Sequence, residues 1–417
     1  MLAGEAARLT ARVGAPIEVR RVLVRDLAKK RVAACDASLV TTDPDVVFSD
    51  PDVEVVVEVM GGEGLAGDLV ERALSSGRSV VTANKALLAA RGQSLLAIAA
   101  EHRADLAFEA AVGGGIPVVR ALRDQLAGDR VERLYGILNG TSNYILSQMA
   151  EQRWSFEDAL RSAQDKGYAE ADPALDVGGG DAAHKLVVLA MLAFGAQVDP
   201  SDLVVEGIVG LEATDVEHAA RLGYVVKHLV VGRDHGDALE LRVHPTLIPR
   251  LSLMANVSGV LNAVKIEGRA LGPCFLSGRG AGDMPTAVSV VADLIDIARS
   301  IVANAAGIVT RSIAVTKRPL RPVGLSESRW YLRFPVADRP GVIGKLAAAL
   351  GDAGVSIEQI VQGPPPSGPE ASVDVVLTTR IAREEAVRRA IATIELGAIE
   401  GATFVKRSPR ALRIEDP

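Results

Sequence analysis

The sequence is poor in cysteine and in aromatic residues, and it has no long apolar run. Its two cysteines, Cys35 and Cys274, cannot form a framework of several disulfides, and its six histidines do not show zinc-site spacing. Aromatic residues make up 3% of the chain, too few for the base-stacking surfaces of single-strand binding proteins. No apolar run reaches the roughly 18 residues of a membrane-spanning helix, and the first residues lack a signal-peptide core. These absences predict a reduced, cytoplasmic protein without a membrane partner.

The chain also has fewer basic than acidic residues. The chain has 46 lysine and arginine residues against 52 aspartate and glutamate residues, a net charge of −6, and its longest basic block is Lys29–Arg31. Nucleic-acid-binding surfaces are basic, so we expect no nucleic-acid partner. The remaining composition, 48% hydrophobic and 24% charged over 417 residues, is that of a globular enzyme. This length predicts about two or three domains.

The first third of the sequence alternates short β-branched runs with segments of helical length. Four runs have the continuous apolar character of buried parallel strands: Ile17–Val24, Val53–Met60, Ser79–Ala83 and Asp105–Ala110. Helical segments at Leu65–Ser76 and Ala86–His102 separate the later runs. This pattern is typical of βαβ units. It predicts an α/β fold class, with a Rossmann-like, doubly wound parallel sheet in residues 1–112.

From about residue 113 the pattern changes. Glycine clusters at 113–115, 178–180 and 278–282 accompany helical patterns at 116–126, 156–166 and 181–194, and strands with polar alternation follow between about 205 and 270. We expect an α+β domain over 113–284 that serves substrate binding and dimerisation, with a mostly antiparallel sheet. A helical pattern from about residue 285 to 305 is apolar on a broad face. We expect the segment 285–313 to return to the first domain and complete it.

The C-terminal quarter predicts a separate small module. Residues 314–329 are polar and contain proline, as linkers do. The elements predicted after them have the order βαββαβ: Tyr331–Ala337, Val342–Ala353, Ser356–Gly363, Ala371–Thr379, Glu384–Leu396 and Thr403–Arg407. This order is that of a ferredoxin-like fold, here over 330–408. Pro335 conflicts with it, because proline removes a ladder donor from a strand that should be central.

Two glycine motifs have more than one interpretation. Gly62–Gly67 matches Gly-x-Gly-x-x-Gly, but the next strand does not end in the acidic residue that this fingerprint needs, so we interpret the motif as a turn near a cofactor. In Glu109–Pro117, three successive glycines free backbone carbonyls to face a cation or ligand. A domain hinge explains the same glycines equally well. Gly278–Thr286 precedes the predicted returning helix, where glycines often bind anions, but alone it is weak.

The densest group of reactive side chains lies in Lys166–Lys185, where four carboxylates surround a glycine run. Lys185 follows Asp181 by four residues and so shares one helix face with it. The pair is either an N-cap with a solvated ion pair, which is the commoner arrangement, or a lysine placed for proton transfer to a carbonyl or hydroxyl. The acidic groups suit an ammonium-bearing substrate. Leu138–Leu146 is a capping turn that also offers hydroxyl and backbone donors to a substrate carboxylate.

Together these motifs resemble those of homoserine dehydrogenase, in the bacterial form with a C-terminal ACT domain. The matching segments are Thr82–Lys85, Glu109–Pro117, Gly136–Tyr144, Lys166–Lys185, Gly280–Gly282 and Pro285–Thr286, and the tail Phe334–Ile360 is similar to an ACT module. The resemblance implies reversible hydride transfer between L-aspartate 4-semialdehyde and L-homoserine, with NAD or NADP. It also implies threonine, methionine and isoleucine biosynthesis, a homodimer or homotetramer, and an amino-acid effector at the ACT module, with threonine as the candidate.

The resemblance assigns roles to individual residues. The catalytic residues are Lys185, which exchanges a proton with the substrate oxygen, and Lys85, beside nicotinamide and substrate. The expected substrate-binding residues are Glu170, Asp181, Asp176, Thr141 and Gly167. The expected cofactor-binding residues are Arg25, Asn84, Lys85, Gly61 and Gly282. The expected monovalent-cation site uses Glu109, Val112, Gly114 and Ile116, through one carboxylate and backbone carbonyls.

One feature of the family is not found in this sequence. Relatives open with a strand and a Gly-x-Gly-x-x-Gly turn, and that strand lies between the two that we place at Ile17–Val24 and Val53–Met60. We therefore expect Met1 to be an internal start, with roughly 25–30 further residues upstream. The alternative is a non-catalytic, amino-acid-binding regulatory relative without a working cofactor loop. The joint presence of Lys85, Glu170, Asp181 and Lys185 favours the enzyme.

Overall fold

A computed structural model describes residues 1–29, 36–308, 313–363, 372–397 and 404–417. It divides into two compact units, each built from three segments of the chain. The first unit contains Met1–Val131, His184–Asp202 and Ile266–Arg318, and the second contains Glu132–Ala183, Leu203–Lys265 and Pro319–Pro417. The units interleave along the chain, whereas the predicted domains are consecutive, so the boundaries at 112, 284 and 329 stay a prediction.

The first unit contains a parallel sheet covered by helices. The sheet consists of Val55–Glu58, Ser79–Thr82 and Leu106–Ala107, and the other strands in these segments are Val22–Leu23, Val40–Thr41, Ala196–Gln197, Gly272–Arg279 and Thr316–Lys317. Its helices are Ala6–Val13, Pro44–Phe48, Leu65–Ser75, Lys85–Glu101, Val118–Arg120 and Asp283–Val302. Ser79–Thr82 is the middle of three parallel strands, between Val55–Glu58 and Leu106–Ala107. The predicted Rossmann-like α/β class is confirmed.

The first predicted strand is much shorter than expected and lies in a separate pair. Only Val22–Leu23 of Ile17–Val24 forms a ladder, parallel to Val40–Thr41. The residues before it are held through side chains: Arg21 forms an ion pair with the buried Asp50 at 3.0 Å. The helix predicted from about residue 285 to 305 is observed as Asp283–Val302, and its Leu294 and Ile297 pack in one buried cluster with Val81 and Ala107 of the sheet. Residues 309–312 of the predicted segment 285–313 lie outside the described residues.

The second unit is a long sheet with helices packed on it. Its strands are Val131–Ile137, Val204–Val205, Tyr224–Asp234, Leu239–Pro249, Leu261–Gly268, Glu327–Ala337, Ile357–Gln362, Ser372–Thr379, Ala382–Arg383 and Arg410–Ile414. Its helices are Gly140–Gln152, Phe156–Asp165, Ala174–Val177, Ala213–Arg221, Val342–Asp352 and Glu384–Gly397. The helix Gly180–Phe194 begins in this unit. Tyr224–Asp234 and Leu239–Pro249 pair antiparallel along their whole length, in agreement with the predicted α+β domain.

The C-terminal module has the predicted ferredoxin-like strand order, but its last strand is displaced. Arg410–Ile414 pairs antiparallel with Glu327–Ala337 and parallel with Leu239–Pro249. The predicted strand Thr403–Arg407 is wrong where it is described: Val405 makes only an isolated bridge, to Val336, and Thr403 lies outside the described residues. The sheet takes the more apolar segment instead, since Leu412 and Ile414 are 2% and 3% exposed.

Pro335 is accommodated at the end of a ladder. The neighbouring Arg410–Ile414 strand pairs only as far as Arg333, and Lys406 then donates its backbone N–H to the Pro335 carbonyl over 2.8 Å. Within a strand, the amide and carbonyl of one residue face the same side. The missing donor of Pro335 therefore faces a single bridge and not a continuous ladder.

Among the described residues, no helix combines the length and apolarity needed to cross a bilayer.

Candidate active site

Asn139 joins two of the predicted substrate-binding carboxylates. Its buried side-chain Nδ2 donates to Asp176 Oδ1 over 2.7 Å and to Asp181 Oδ2 over 2.9 Å. Its Oδ1 accepts the backbone N–H of Ser142 over 2.7 Å, so Asn139 also caps the helix Gly140–Gln152. Both amide hydrogens are thus given to carboxylates, and those bonds are charge-assisted. Asp176 and Asp181 consequently face one point, beside a helix N-terminus that favours negative charge.

Thr141 and Gly167 shape the loop next to this pair. The Thr141 hydroxyl donates to the Tyr168 carbonyl over 2.6 Å, and the Tyr168 ring lies edge-on to Tyr144 with centroids 5.1 Å apart. Gly167 begins the loop. Gln164 donates from Nε2 to the Glu170 carbonyl over 3.3 Å. Thr141 therefore ties the Tyr168 carbonyl to the start of the helix Gly140–Gln152, Gly167 takes a positive φ of 71° just before Tyr168, and the Glu170 side chain is exposed.

The helix Gly180–Phe194 carries Asp181 in its first turn and Lys185 one turn later. Asp181 is 5% exposed and Lys185 is half-buried. The predicted helix began at Asp181 with that residue as its cap, whereas the helix starts one residue earlier, with Gly179 accepting the N–H of Ala183 over 2.9 Å. The spacing keeps Asp181 and Lys185 on one helix face, as predicted.

A second polar group lies at the carboxyl ends of the parallel strands in the first unit. Glu58, the last residue of its strand and 4% exposed, accepts the hydroxyl of Thr82 over 2.6 Å. The same carboxylate accepts the backbone N–H groups of Met60 and Gly61 over 2.7 and 2.9 Å. Ligands of open α/β sheets bind at this edge. Glu58 therefore fixes the loop that contains the predicted cofactor residue Gly61.

Asn84 extends this group to the next helix. Its Nδ2 donates to the Gly62 carbonyl over 2.6 Å, and its Oδ1 accepts the N–H of Leu87 over 3.1 Å, which caps Lys85–Glu101. The predicted cofactor residues Gly61, Asn84 and Lys85 are therefore brought together. Gly282 directly precedes the helix Asp283–Val302. Arg25 is exposed and follows the separate strand Val22–Leu23.

The residues of the predicted cation site lie in one buried turn. Glu109 is 3% exposed, and its two carboxylate oxygens accept the N–H groups of Val119 and Arg120 over 3.0 and 2.8 Å. Burial raises the pKa of Glu109, although these bonds oppose the change. The carboxylate therefore serves as a helix cap. A cation in this turn would therefore have to be bound by backbone carbonyl oxygens.

Gly114 is fixed by the segment that precedes the returning helix. Its carbonyl accepts the Ser289 hydroxyl over 2.6 Å, and a Cβ at position 114 would lie 2.4 Å from the Gly280 carbonyl oxygen. Only glycine fits there. Val112 and Ile116 are 0% and 2% exposed. Carbonyl oxygens are donors that suit a hard monovalent cation. The Ile116 carbonyl also accepts the Val118 N–H over 2.8 Å, so an ion bound here would share its oxygen atoms with existing hydrogen bonds.

Comparison with known proteins identifies the family. A model described as homoserine dehydrogenase matches residues 117–295, and a model described as homoserine dehydrogenase, NAD binding domain, matches residues 2–109. A homoserine dehydrogenase of Pseudomonas aeruginosa is 44% identical over 407 residues, which cover 96% of this chain and 92% of the relative. The chain belongs to the homoserine dehydrogenase family. It is thus an NAD(P)-dependent oxidoreductase by family, and an ACT domain matches residues 330–396.

Other homoserine dehydrogenases are similar to this chain in sequence or in structure. The enzyme of Neisseria gonorrhoeae is 42% identical, with 91% of this chain and 88% of the relative covered. The crystal structure of a homoserine dehydrogenase from Thiobacillus denitrificans superposes with a TM-score of 0.91 at 41% identity, covering 100% of this chain and 94% of that one. A hyperthermophilic archaeal homoserine dehydrogenase in complex with NADPH has a TM-score of 0.54 at 27% identity, over 61% of this chain and 74% of that one.

Sequence reasoning missed three residues that organise these groups. Asn139 lay within a quoted motif but was given no role, although asparagine at a helix start is a capping signal. Glu58 had a weaker signal, an acidic residue that ends an apolar strand. Asp293 had none: its Oδ2 accepts the backbone N–H of Glu109 over 2.8 Å, across 184 positions of the sequence.

Proposed function

We propose that this chain catalyses the reversible hydride transfer between L-aspartate 4-semialdehyde and L-homoserine. The observation that carries the proposal is the pair Asp176 and Asp181, which Asn139 holds at 2.7 and 2.9 Å, with Lys185 one helical turn after Asp181. Two carboxylates converging on one point suit a substrate that carries an ammonium group. A lysine one turn further along suits proton exchange with the hydroxyl or carbonyl of the same substrate.

The roles of the remaining residues follow from this arrangement. Asp181, Asp176 and Glu170 bind and orient the substrate's ammonium group, while Thr141 and Gly167 shape the loop around it. Lys185 delivers a proton to the aldehyde oxygen in reduction and removes it from the hydroxyl in oxidation. Lys85 lies at the start of its helix, beside Asn84, and supplies a second positive charge near the reacting oxygen.

The cofactor is NAD or NADP, and it supplies the hydride when bound. The residues at the carboxyl ends of the strands fit a dinucleotide, because Glu58 fixes the Gly61 turn and Asn84 fixes the start of the next helix. We assign Gly61, Asn84, Lys85 and Gly282 to it. Arg25, exposed after the strand Val22–Leu23, would meet a 2′-phosphate.

We also propose a monovalent cation, similar to sodium, in the turn that contains Glu109, Val112, Gly114 and Ile116. The buried backbone carbonyls of this turn would supply the oxygen ligands, since both oxygens of the Glu109 carboxylate already accept the N–H groups of Val119 and Arg120.

At the ACT domain we propose an amino-acid effector, with threonine as the first candidate. A homodimer or homotetramer and a cytoplasmic location stay predictions from the sequence and its family.

The test is a spectrophotometric assay of the purified chain. L-homoserine with NAD⁺ or NADP⁺ should give reduced cofactor, whereas L-serine, which has one methylene fewer, should give little. The activity with NAD⁺ relative to NADP⁺ reports the cofactor preference. Absence of reduction with both cofactors would contradict the proposal and favour the non-catalytic relative.

A further inference from the structure

The turn Val177–Gly179 lies between the two carboxylates of the proposed substrate site, and a neighbouring segment holds its backbone. The N–H of Ile208 donates to the Val177 carbonyl over 2.8 Å, and Ile208 is fully buried. Gly207 approaches so closely that a Cβ there would lie 2.3 Å from the same carbonyl oxygen. The path of the turn is therefore set by the backbone of residues 206–208.

Glu206 fixes that segment through its own backbone. Its N–H donates to the Val243 carbonyl over 2.7 Å, within the sheet. Its carbonyl accepts from His228 Nε2 over 2.9 Å. Burial lowers the pKa of His228, although this hydrogen bond opposes the change, so the ring is neutral with its proton on Nε2. Both bonds hold the main chain one residue before the close contact at Gly207.

The Glu206 side chain is fixed by the C-terminal strand. Arg413, 1% exposed, donates to its two oxygens over 3.0 and 2.9 Å. Burial opposes ionisation, but the Arg413 guanidinium lowers the pKa of Glu206. Arg413 also donates to both oxygens of Glu384, over 3.0 and 2.8 Å, and Glu384 is the fully buried first residue of its helix. Because its guanidinium is hydrogen-bonded to two carboxylates, Arg413 is held in one orientation.

We propose that Glu206, clamped by Arg413, is a positioning residue that fixes the turn Val177–Gly179 and so sets the spacing of Asp176 and Asp181 for an amino-acid substrate. The inference rests on the proposed function, because it takes these two carboxylates as ligands of the substrate's ammonium group. It also gives the ACT domain a part in substrate binding without any effector, since Glu384 lies within the segment 330–396 that matches this domain. Arg413 lies on the strand Arg410–Ile414, which pairs with the first strand of the same module.

The experiment compares Glu206→Ala with Glu415→Ala. Glu415 is the control, because a buried arginine, Arg242, also holds it at 3.0 Å, and none of its hydrogen bonds to described residues reaches the turn. Its side chain is 4% exposed against 36% for Glu206, so its removal should cost at least as much stability. We expect Glu206→Ala to raise KM for L-homoserine about tenfold, which corresponds to about 1.4 kcal/mol. KM for the cofactor should stay within about twofold. Glu415→Ala should lower Tm but leave both KM values unchanged.

A second variant and a second readout make the result independent of folding and of the assay. Glu206→Gln keeps an acceptor for Arg413, so its KM for L-homoserine should lie between those of the wild type and Glu206→Ala. Hydrogen–deuterium exchange of the peptide 174–181 should be faster in Glu206→Ala and Glu206→Gln than in the wild type, and unchanged in Glu415→Ala. Unchanged exchange in the Glu206 variants, or equal effects in Glu415→Ala, would overturn the inference. A wild type that oxidises no homoserine contradicts the proposed function instead, and the exchange result still decides this inference.

Discussion

The amide nitrogen of Asn139 donates to the Asp181 carboxylate over 2.9 Å. Its other hydrogen goes to Asp176, and its oxygen caps the helix that follows. This one buried side chain therefore both caps a helix and positions two carboxylates. The two tasks have different consequences when the residue is changed, because the cap acts on stability and the two donated bonds act on the carboxylates.

Replacing Asn139 with alanine should lower stability by about 1 kcal/mol through the lost cap and also raise KM for L-homoserine. The matched control is Ser155→Ala, since Ser155 caps the helix Phe156–Asp165 by accepting the N–H of Asp158 over 3.1 Å. Thermal unfolding and steady-state kinetics of both variants separate the two tasks. Equal KM values in both variants would show that Asn139 acts only as a cap.

Replacing Lys185 with methionine should lower kcat by about 10²- to 10⁴-fold, because the substrate oxygen loses its proton partner. Cofactor affinity, measured by fluorescence titration with NADPH, should stay unchanged. Lys317→Met, at an exposed lysine of the same unit, is the control and should retain full activity. Full activity in Lys185→Met would remove this lysine from the mechanism.

The helices were predictable because their signals are local. The predicted segments Ala86–His102 and Phe156–Lys166 correspond to the observed Lys85–Glu101 and Phe156–Asp165. Their apolar periodicity, and for the second its Ser155 cap, lie within the helix or directly before it. The lysine and acidic residues of the proposed site were predicted in the same way, through spacing on one helix and a family motif, and their roles stay a prediction.

The rest depended on contacts between distant residues. The predicted strand Asp105–Ala110 ends at Ala107, because the N–H of Glu109 turns to Asp293 instead of continuing the ladder. Likewise Asn139 meets its acceptors 37 and 42 residues further along the chain. No local pattern specifies such partners, since they are brought together only when the helices and the sheet pack.

Replacing Glu58 with alanine should weaken cofactor binding while leaving KM for L-homoserine unchanged. The change removes the acceptor of the Met60 and Gly61 N–H groups and of the Thr82 hydroxyl, so the loop at the strand ends loses its anchor. We expect KM for the cofactor to rise about tenfold, equivalent to about 1.4 kcal/mol. Glu54→Ala is the control, as Glu54 is exposed and lies just before the amino end of the same strand. A rise in KM for homoserine alone would contradict this assignment.

Asp293 should make the protein less stable as the pH rises from about 4 to about 7. Burial, together with the nearby charge of Glu109, raises the pKa of Asp293 to about 7, although the N–H of Glu109 opposes the change. In the unfolded chain the group ionises near its ordinary value of 3.8, so between the two values the folded protein holds the extra proton. Stability from this group is therefore complete below about pH 4 and is lost as the pH rises through about 7.

Asp293→Asn should remove this dependence, because the amide stays neutral and its oxygen still accepts from Glu109. The Tm of the variant relative to wild type should increase between about pH 5 and pH 8, by an amount that corresponds to at most about 4 kcal/mol. Asp296→Asn, at a partly exposed carboxylate on the same helix, controls for general charge effects and should show no such trend. A difference in Tm that is constant over this range would mean that Asp293 is already ionised in the folded protein at acid pH.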